Sequence, residues 1–130
     1  MNIILILFKR NNYKKAYNKA FNSGHTEELQ EAACKNPRWA YYYARDINGA
    51  DIRYCQEMAC RNPKYAYWFA FDIGGADTKY CQEFACKKPS WAYYFAVDVK
   101  VADLDVCLEA VRGSEWEDEV RKLVIERGIG

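Results

Sequence analysis

Leu29–Tyr54 reads LQEAACKNPRWAYYYARDINGADIRY, Cys55–Tyr80 reads CQEMACRNPKYAYWFAFDIGGADTKY, and Cys81–Val106 reads CQEFACKKPSWAYYFAVDVKVADLDV. The three stretches begin 26 residues apart and align without insertion or deletion. Self-similarity at a fixed short period marks a stacked-repeat architecture, in which each unit buries its face only against its neighbours. The question of function therefore moves from a single pocket to a repeated surface.

Each copy encodes two helices. Pro37, Pro63 and Pro89 follow Asn36, Asn62 and Lys88, and proline suits the first turn of a helix while asparagine before it is a good N-cap. From that start Ala40, Tyr43, Ala44 and Ile47 fall at i, i+3, i+4 and i+7, as do Ala66, Phe69, Ala70, Ile73 and Ala92, Phe95, Ala96, Val99. Such spacing gives one buried helical face. Gly49 and the Gly74-Gly75 pair are placed to end two of these helices; Lys100 and Val101 replace them in the third copy, whose turn is expected to close differently. Asp51, Asp77 and Asp103 then cap a second helix whose inward face carries Cys55, Cys81 and Cys107 with Ala59, Ala85 and Val111. The unit is an αα-hairpin.

The same ruler extends outward. Counting back from Leu29 reaches Ile3, with Ile6 and Leu7 at core positions, and sets Tyr13, Tyr17 and Phe21 in register with Trp39, Tyr43 and Ile47. Counting forward, Cys107 opens a fifth copy, and Ser114 with Glu117 forms a capping box for a last helix bearing Trp116, Val120, Leu123 and Val124. The expected fold is all-α, a hairpin-repeat solenoid in one domain over 1–130, with units 3–28, 29–54, 55–80, 81–106 and 107–130. The outer two units are more polar, as end caps must be.

A formal charge of +1 on 130 residues argues against a general polyanion binder. The charge is uneven, however: Lys9, Arg10, Lys14, Lys15 and Lys19 crowd the first unit, and Glu115, Glu117, Asp118 and Glu119 the last. Six cysteines suggest a disulfide scaffold, but Cys55, Cys81 and Cys107 share one repeat position and Cys34, Cys60 and Cys86 another. Equivalent positions in stacked helices sit roughly 8–10 Å apart, too far for an S–S bond. Within a copy the two thiols diverge round the helix, so they do not converge on a metal. They read as buried, reduced thiols of a cytoplasmic protein; contacts from Cys34 to Cys55 and from Cys60 to Cys81 are the pairings the spacing leaves open. Met1–Phe8 is apolar but too short to span a bilayer and is expected to be a core helix.

Two sets of aromatic residues differ in role. Trp39, Tyr65 and Trp91 flank the core face and are assigned to packing between repeats. Tyr41, Tyr42 and Arg45, then Tyr67, Trp68 and Phe71, then Tyr93 and Tyr94 point away from it. Stacked, these rows make a stripe roughly 20–30 Å long, and a contiguous apolar surface rich in Tyr, Trp and Arg commonly marks an interaction site. The alternative is that curvature buries Tyr41, Tyr67 and Tyr93 between helices. Asp46, Asp72 and Asp98 stand near helix C-termini, where the dipole disfavours an acid, so each needs a partner: a backbone N–H of the next helix, or a Trp or Tyr one or two turns back. His25, the only histidine, lies in the turn Asn22-Ser23-Gly24-His25 and is expected to face solvent. No phosphate loop, zinc-binding helix or nucleophile elbow occurs, so neither catalysis nor a metal or other cofactor is expected.

The phrases KNPRWAYYYARDI (35–47), RNPKYAYWFAFDI (61–73) and KKPSWAYYFAVDV (87–99) resemble the short helical repeats of the N-P-x-x-A-Y-x-x-A-x-D kind in bacteriophage and some bacterial proteins. The resemblance covers residues 29–106. It implies a repeat fold, a viral or bacterial origin and a place in the (host) cytoplasm; it implies no reaction, and no site residue transfers from it.

The expected function is non-enzymatic protein binding through Tyr41, Tyr42, Arg45, Tyr67, Trp68, Phe71, Tyr93 and Tyr94, with a host protein as partner if the chain is viral. Head-to-tail self-assembly of the basic first unit on the acidic last one is an alternative. Single-stranded nucleic acid on the basic residues beside the aromatics is another.

Overall fold

The computed structural model describes residues 12–128, within which every regular element is an α-helix. Long helices α1 (Tyr13–Ser23), α3 (Pro37–Asp46), α5 (Pro63–Asp72), α7 (Pro89–Asp98) and α9 (Glu117–Gly128) alternate with short ones, α2 (Glu27–Ala33), α4 (Ile52–Ala59), α6 (Thr78–Ala85) and α8 (Leu104–Val111). The expected helix over Met1–Phe8, with Ile3, Ile6 and Leu7, lies outside the described residues.

The caps explain why the helices start where they do. Asn36 Oδ1 accepts from the Arg38 N–H at 3.0 Å and Asn62 Oδ1 from the Lys64 N–H at 2.9 Å. Asp51 and Asp77 accept from Tyr54 and Tyr80, and Asp103 from Asp105 and Val106. Lys88 has no oxygen to offer, and α7 begins without a side-chain cap. Lys88→Asn should therefore raise stability by about 0.5–2 kcal/mol, the range for helix N-caps. Thermal unfolding checks this; an unchanged or lowered midpoint counts against it.

The turn of the third copy closes as the others do. Ala50 donates to the Ile47 carbonyl and Ala76 to that of Ile73, both at 3.2 Å, and Ala102 donates to Val99 at 3.0 Å. Gly49 and Gly75 hold positive φ values of 93° and 85° in these turns, conformations that suit glycine. The expected difference at Lys100-Val101 thus does not extend to the hydrogen bond that closes the turn, although Val101 is left 73% exposed.

Contacts of any extent run only between helices one or two apart in the chain. The closest pairings are α1 with α2, α3 with α4, α5 with α6, and α7 with α8. The pairs α3/α4, α5/α6 and α7/α8 thus begin at the residue before proline, and the expected boundaries at 29, 55, 81 and 107 fall inside the short helices. The period is the same; only the phase differs. The long helices pack successively on one another, α1 on α3, α3 on α5 and α5 on α7, and α9 packs on both α7 and α8.

Between the hairpins lies one apolar seam. Tyr43, Phe69 and Phe95 are fully buried, with Ala40, Ala66 and Ala92 beside them and Cys55, Cys81 and Cys107 opposite. Large side chains from one helix meet small ones from the next, which lets the helices approach closely.

The flanks depart from the 26-residue ruler in one place. Asn12 precedes α1 as Asn36 precedes α3, and Ala16 and Ala20 are buried. Helix α1 is therefore offset from α3 by 24 residues while α2 keeps the 26-residue step to α4, so Tyr17 corresponds to Tyr41 and not to Tyr43. Phe21 correspondingly sits on the outer face, 61% exposed, in place of the core position expected for it. At the other end Ser114 Oγ accepts from the Trp116 N–H at 3.2 Å, but the Glu117 carboxylate accepts from Gly113 and not from Ser114. The capping box is displaced by one residue.

Candidate interaction surface

Each boundary between hairpins carries the same polar ties. Tyr17 Oη donates to Asp46 Oδ2 at 2.6 Å, Tyr41 Oη donates to Asp72 Oδ2, and Tyr67 Oη donates to Asp98 Oδ2 at 2.5 Å. This answers why an acid recurs near the helix C-terminus: its partner is a tyrosine of the preceding hairpin, not one on its own helix. The second tie is a buried glutamine. Gln30, Gln56 and Gln82 accept, through Oε1, the backbone N–H of Asp51, Asp77 and Asp103 at 2.7, 2.7 and 3.0 Å. These N–H groups open the following short helix and have no intrahelical acceptor. Sequence reasoning passed over the glutamines, although identity at one position in three copies was the signal available.

Tyr41 and Tyr67, each only 5% exposed, are thus interior residues that tie hairpins together. Tyr93 is half-buried and stacks on Trp116, with ring centroids 4.7 Å apart and planes at 19°. Trp116 so does for the last boundary what Trp39, Tyr65 and Trp91 do for the earlier ones: those rings lie 5.4, 6.1 and 5.5 Å from Tyr17, Tyr41 and Tyr67. The packing role read for Trp39, Tyr65 and Trp91 matches their positions.

The outward residues that remain are Tyr42, Arg45, Trp68, Phe71 and Tyr94. Phe71 is 50% and Tyr94 39% exposed, while Tyr42 and Trp68 are half-buried. Trp68 meets Tyr67, Phe71 and Tyr41 within 6.5 Å, so the aromatic contacts run continuously from α3 to α7. Aromatic clustering of this kind fixes ring orientation and leaves edges and faces available.

Charge is graded along the stripe. One outward position reads Arg38, Lys64, Ser90 and another Arg45, Phe71, Val97. Arg45 lies 4.7 Å from the Tyr42 ring centroid and makes paired bonds to Asp46 at 2.7 and 2.8 Å. Those bonds hold the Asp46 carboxyl below its usual range and the Arg45 guanidinium above its own. Arg38 covers Trp39 and Tyr42, and Lys64 covers Tyr65. Arg38, Tyr42, Arg45, Lys64, Trp68 and Asp72 line an open cleft of about 500 Å³ between α3 and α5. It presents flat π faces, cationic side chains and phenolic hydroxyls. Burial, reinforced by the bonds to Asp46 and Asp72, pushes Tyr17 and Tyr41 up to about 12, so both phenols are neutral donors at physiological pH.

His25 is not a free surface residue. Its Nδ1 lies 2.7 Å from Tyr43 Oη, and its ring packs on Gly49. Among the described residues no three His, Cys, Asp or Glu side chains are placed to hold a metal ion, and no helix is long and apolar enough to cross a membrane. The six cysteines are free thiols, all buried but for a half-buried Cys86.

No protein-family model, curated protein or solved structure matches the chain.

Proposed function

We propose that the chain is an αα-hairpin solenoid and a non-enzymatic protein-binding module, whose stripe of Tyr42, Arg45, Trp68, Phe71 and Tyr94 receives a protein partner. The solenoid reading rests on contacts confined to helices one or two apart and on the recurrence of the same Tyr–Asp and glutamine ties. The observation that carries the binding reading is the placement of Phe71, half exposed beside Trp68, and of Tyr94, two-fifths exposed and joined to Trp68 through Tyr67. Large apolar side chains left in water on adjacent repeats are the usual mark of an interface, and aromatic residues with arginine supply most hot spots. Protein is favoured over single-stranded nucleic acid because Arg45 is already neutralised by Asp46. Three fixed phosphate-binding cations in a row are therefore not on offer.

A bacterial host protein is the partner to seek, given the resemblance to phage and bacterial repeats, and the cytoplasm is the compartment proposed. Immobilised protein and its Trp68→Ala/Tyr94→Ala variant, matched for helicity by circular dichroism, would each be incubated with bacterial lysate. A partner retained by the first and lost, by at least about thirtyfold in affinity, from the second supports the reading, since hot-spot truncations cost about 2 kcal/mol or more. Equal retention by both overturns it. A second reading has its own support: Lys14, Lys15 and Lys19 lie on α1, while Glu117, Asp118 and Glu119 open α9. Head-to-tail association would then appear as a mass that grows with concentration at low salt and falls at high salt. A salt-independent monomer removes it.

A further inference from the structure

Six thiols in the described residues form three pairs, one at each boundary between hairpins. Cys34 Sγ lies 3.6 Å from Cys55 Sγ, and Cys60 Sγ lies 3.7 Å from Cys81 Sγ. Cys86 and Cys107 occupy the same two positions at the third boundary. The same two positions meet each time: the residue that ends a short helix, and one in the middle of the next short helix. We infer that these are preformed sites of disulfide formation, at which an oxidant converts the chain into a stack stapled by Cys34–Cys55, Cys60–Cys81 and Cys86–Cys107, and by no other pairing.

The geometry supports each part of that statement. A disulfide needs its sulfurs at about 2.05 Å, so the Cys34–Cys55 and Cys60–Cys81 pairs, at 3.6 and 3.7 Å, must each close by roughly 1.6 Å. Cys34, Cys60 and Cys86 can supply the movement, because each is the cap residue where a short helix gives way to the turn before proline. Their partners sit in helix interiors and are fully buried. Alternative pairings fail on distance or direction. Equivalent thiols on successive hairpins are separated by a helix spacing of roughly 8–10 Å, and the two thiols of one hairpin lie five residues apart on diverging sides of a helix.

The boundaries are not equally ready. At the first two, Cys55 and Cys81 direct their S–H groups toward the Oε1 atoms of Gln30 and Gln56 at 3.8 and 3.6 Å. At the third the glutamine is turned: Gln82 Nε2 donates to Cys107 Sγ at 3.4 Å. Cys86 is the only thiol not fully buried, and the neighbouring Cys107 and Gln82 side chains hold it below the usual thiol range. A thiolate is the attacking species in disulfide chemistry, so Cys86–Cys107 forms first.

With a diazene oxidant such as diamide the step balances. The Cys86 thiolate adds to one nitrogen of the N=N bond, and the other nitrogen takes a proton. Cys107 sulfur, losing its own proton, then attacks the Cys86 sulfur; the S–S bond forms, the S–N bond breaks, and the hydrazine departs. Two thiols are oxidised by two electrons, and the diazene carries those electrons and both protons away. A dithiol reductant reverses the outcome.

The reduced full-length protein would be titrated with diamide, quenched with N-ethylmaleimide, digested and mapped by mass spectrometry. Expected are an intramolecular Cys86–Cys107 peptide at low oxidant, the other two bridges at higher oxidant or on warming, and a monomer throughout. The thermal midpoint should rise with each bridge and return on reduction. Cys60→Ser should lose the middle bridge alone, leaving Cys81 alkylated. Crossed pairings, covalent dimers, or six alkylated thiols after exhaustive oxidation would each overturn the inference, as would scrambling in the Cys60→Ser protein.

Discussion

Phe69→Ala is expected to remove about 3–5 kcal/mol of stability, the range for truncating a buried phenylalanine. Phe69 is fully buried on α5, the middle member of the long-helix row. The α5 helix packs on α3 and α7 as well as on α4 and α6, so the void lies between the two halves of the chain. Domains of this size hold a net stability of only about 5–15 kcal/mol. Nearest-neighbour coupling is also what makes a repeat array unfold as one body. The substitution should therefore both lower the urea midpoint and split the transition. Trp39 lies in the N-terminal half and Trp91 and Trp116 in the C-terminal half. With Trp68 replaced by Phe, proteins retaining Trp39 alone, or Trp91 and Trp116 alone, would report the two halves separately. Coincident transitions with a loss below about 1 kcal/mol would show that the seam does not carry the cooperativity assigned to it.

The second large effect lies at high pH. Tyr17 and Tyr41 are pushed up to about 12 by burial and by their carboxylate partners; Tyr43 is raised by burial, and Tyr67 by burial and then by Asp98. In the unfolded chain these phenols ionise near about 10. Between those values the folded form holds protons that the unfolded form has lost, so stability falls as pH rises. It is intact below about 10 and lost as the pH climbs through the folded-state values. The slope approaches about 1.4 kcal/mol per pH unit for each proton retained by the folded form alone. Urea titrations between pH 9 and pH 12, roughly the window these phenols define, should show a steep decline, with phenolate absorbance appearing together with unfolding. The triple variant Tyr17→Phe/Tyr41→Phe/Tyr67→Phe should start less stable and decline less steeply. An equal slope in both proteins would sink the assignment. At the acid end Glu117 is held below its usual range first by the Gly113 N–H, and Asp46 is held down first by Arg45. The Asp46 contribution is present above its unfolded value and fades as pH falls through the folded one.

The alternation of helices was legible because its causes are local. Proline after asparagine, aspartate before the short helices, and alanines spaced for one face specify starts and faces within a few residues. What escaped the sequence depends on partners far along the chain. Asp72 is bonded to Tyr41, 31 residues earlier, and no local pattern indicates that a tyrosine facing away from its own core will be buried under the next hairpin. That is why Tyr41 and Tyr67 read as surface residues and are not. The offset of α1 was hidden for a different reason. A ruler carried over from the central copies assumes equal connections, whereas the start of α1 after Asn12 and the Ala16/Ala20 spacing mark the true register. His25 was misjudged because its partner, Tyr43, lies 18 residues on, on the next long helix, and no sequence spacing shows that contact. Of the candidate surface, Tyr42, Arg45, Trp68, Phe71 and Tyr94 needed only helical periodicity to be found.

The ties at each boundary join identical positions of adjacent hairpins, so none of them refers to how many hairpins there are. Excising residues 55–80 would bring Tyr41 to Asp98 in the relation it now has to Asp72, and Cys34 would still meet a cysteine in the next short helix. The length of this molecule is in that sense a free variable, changeable in whole 26-residue steps by duplication or loss of a gene segment. Selection can thus adjust the reach of the stripe without having to redesign a single contact.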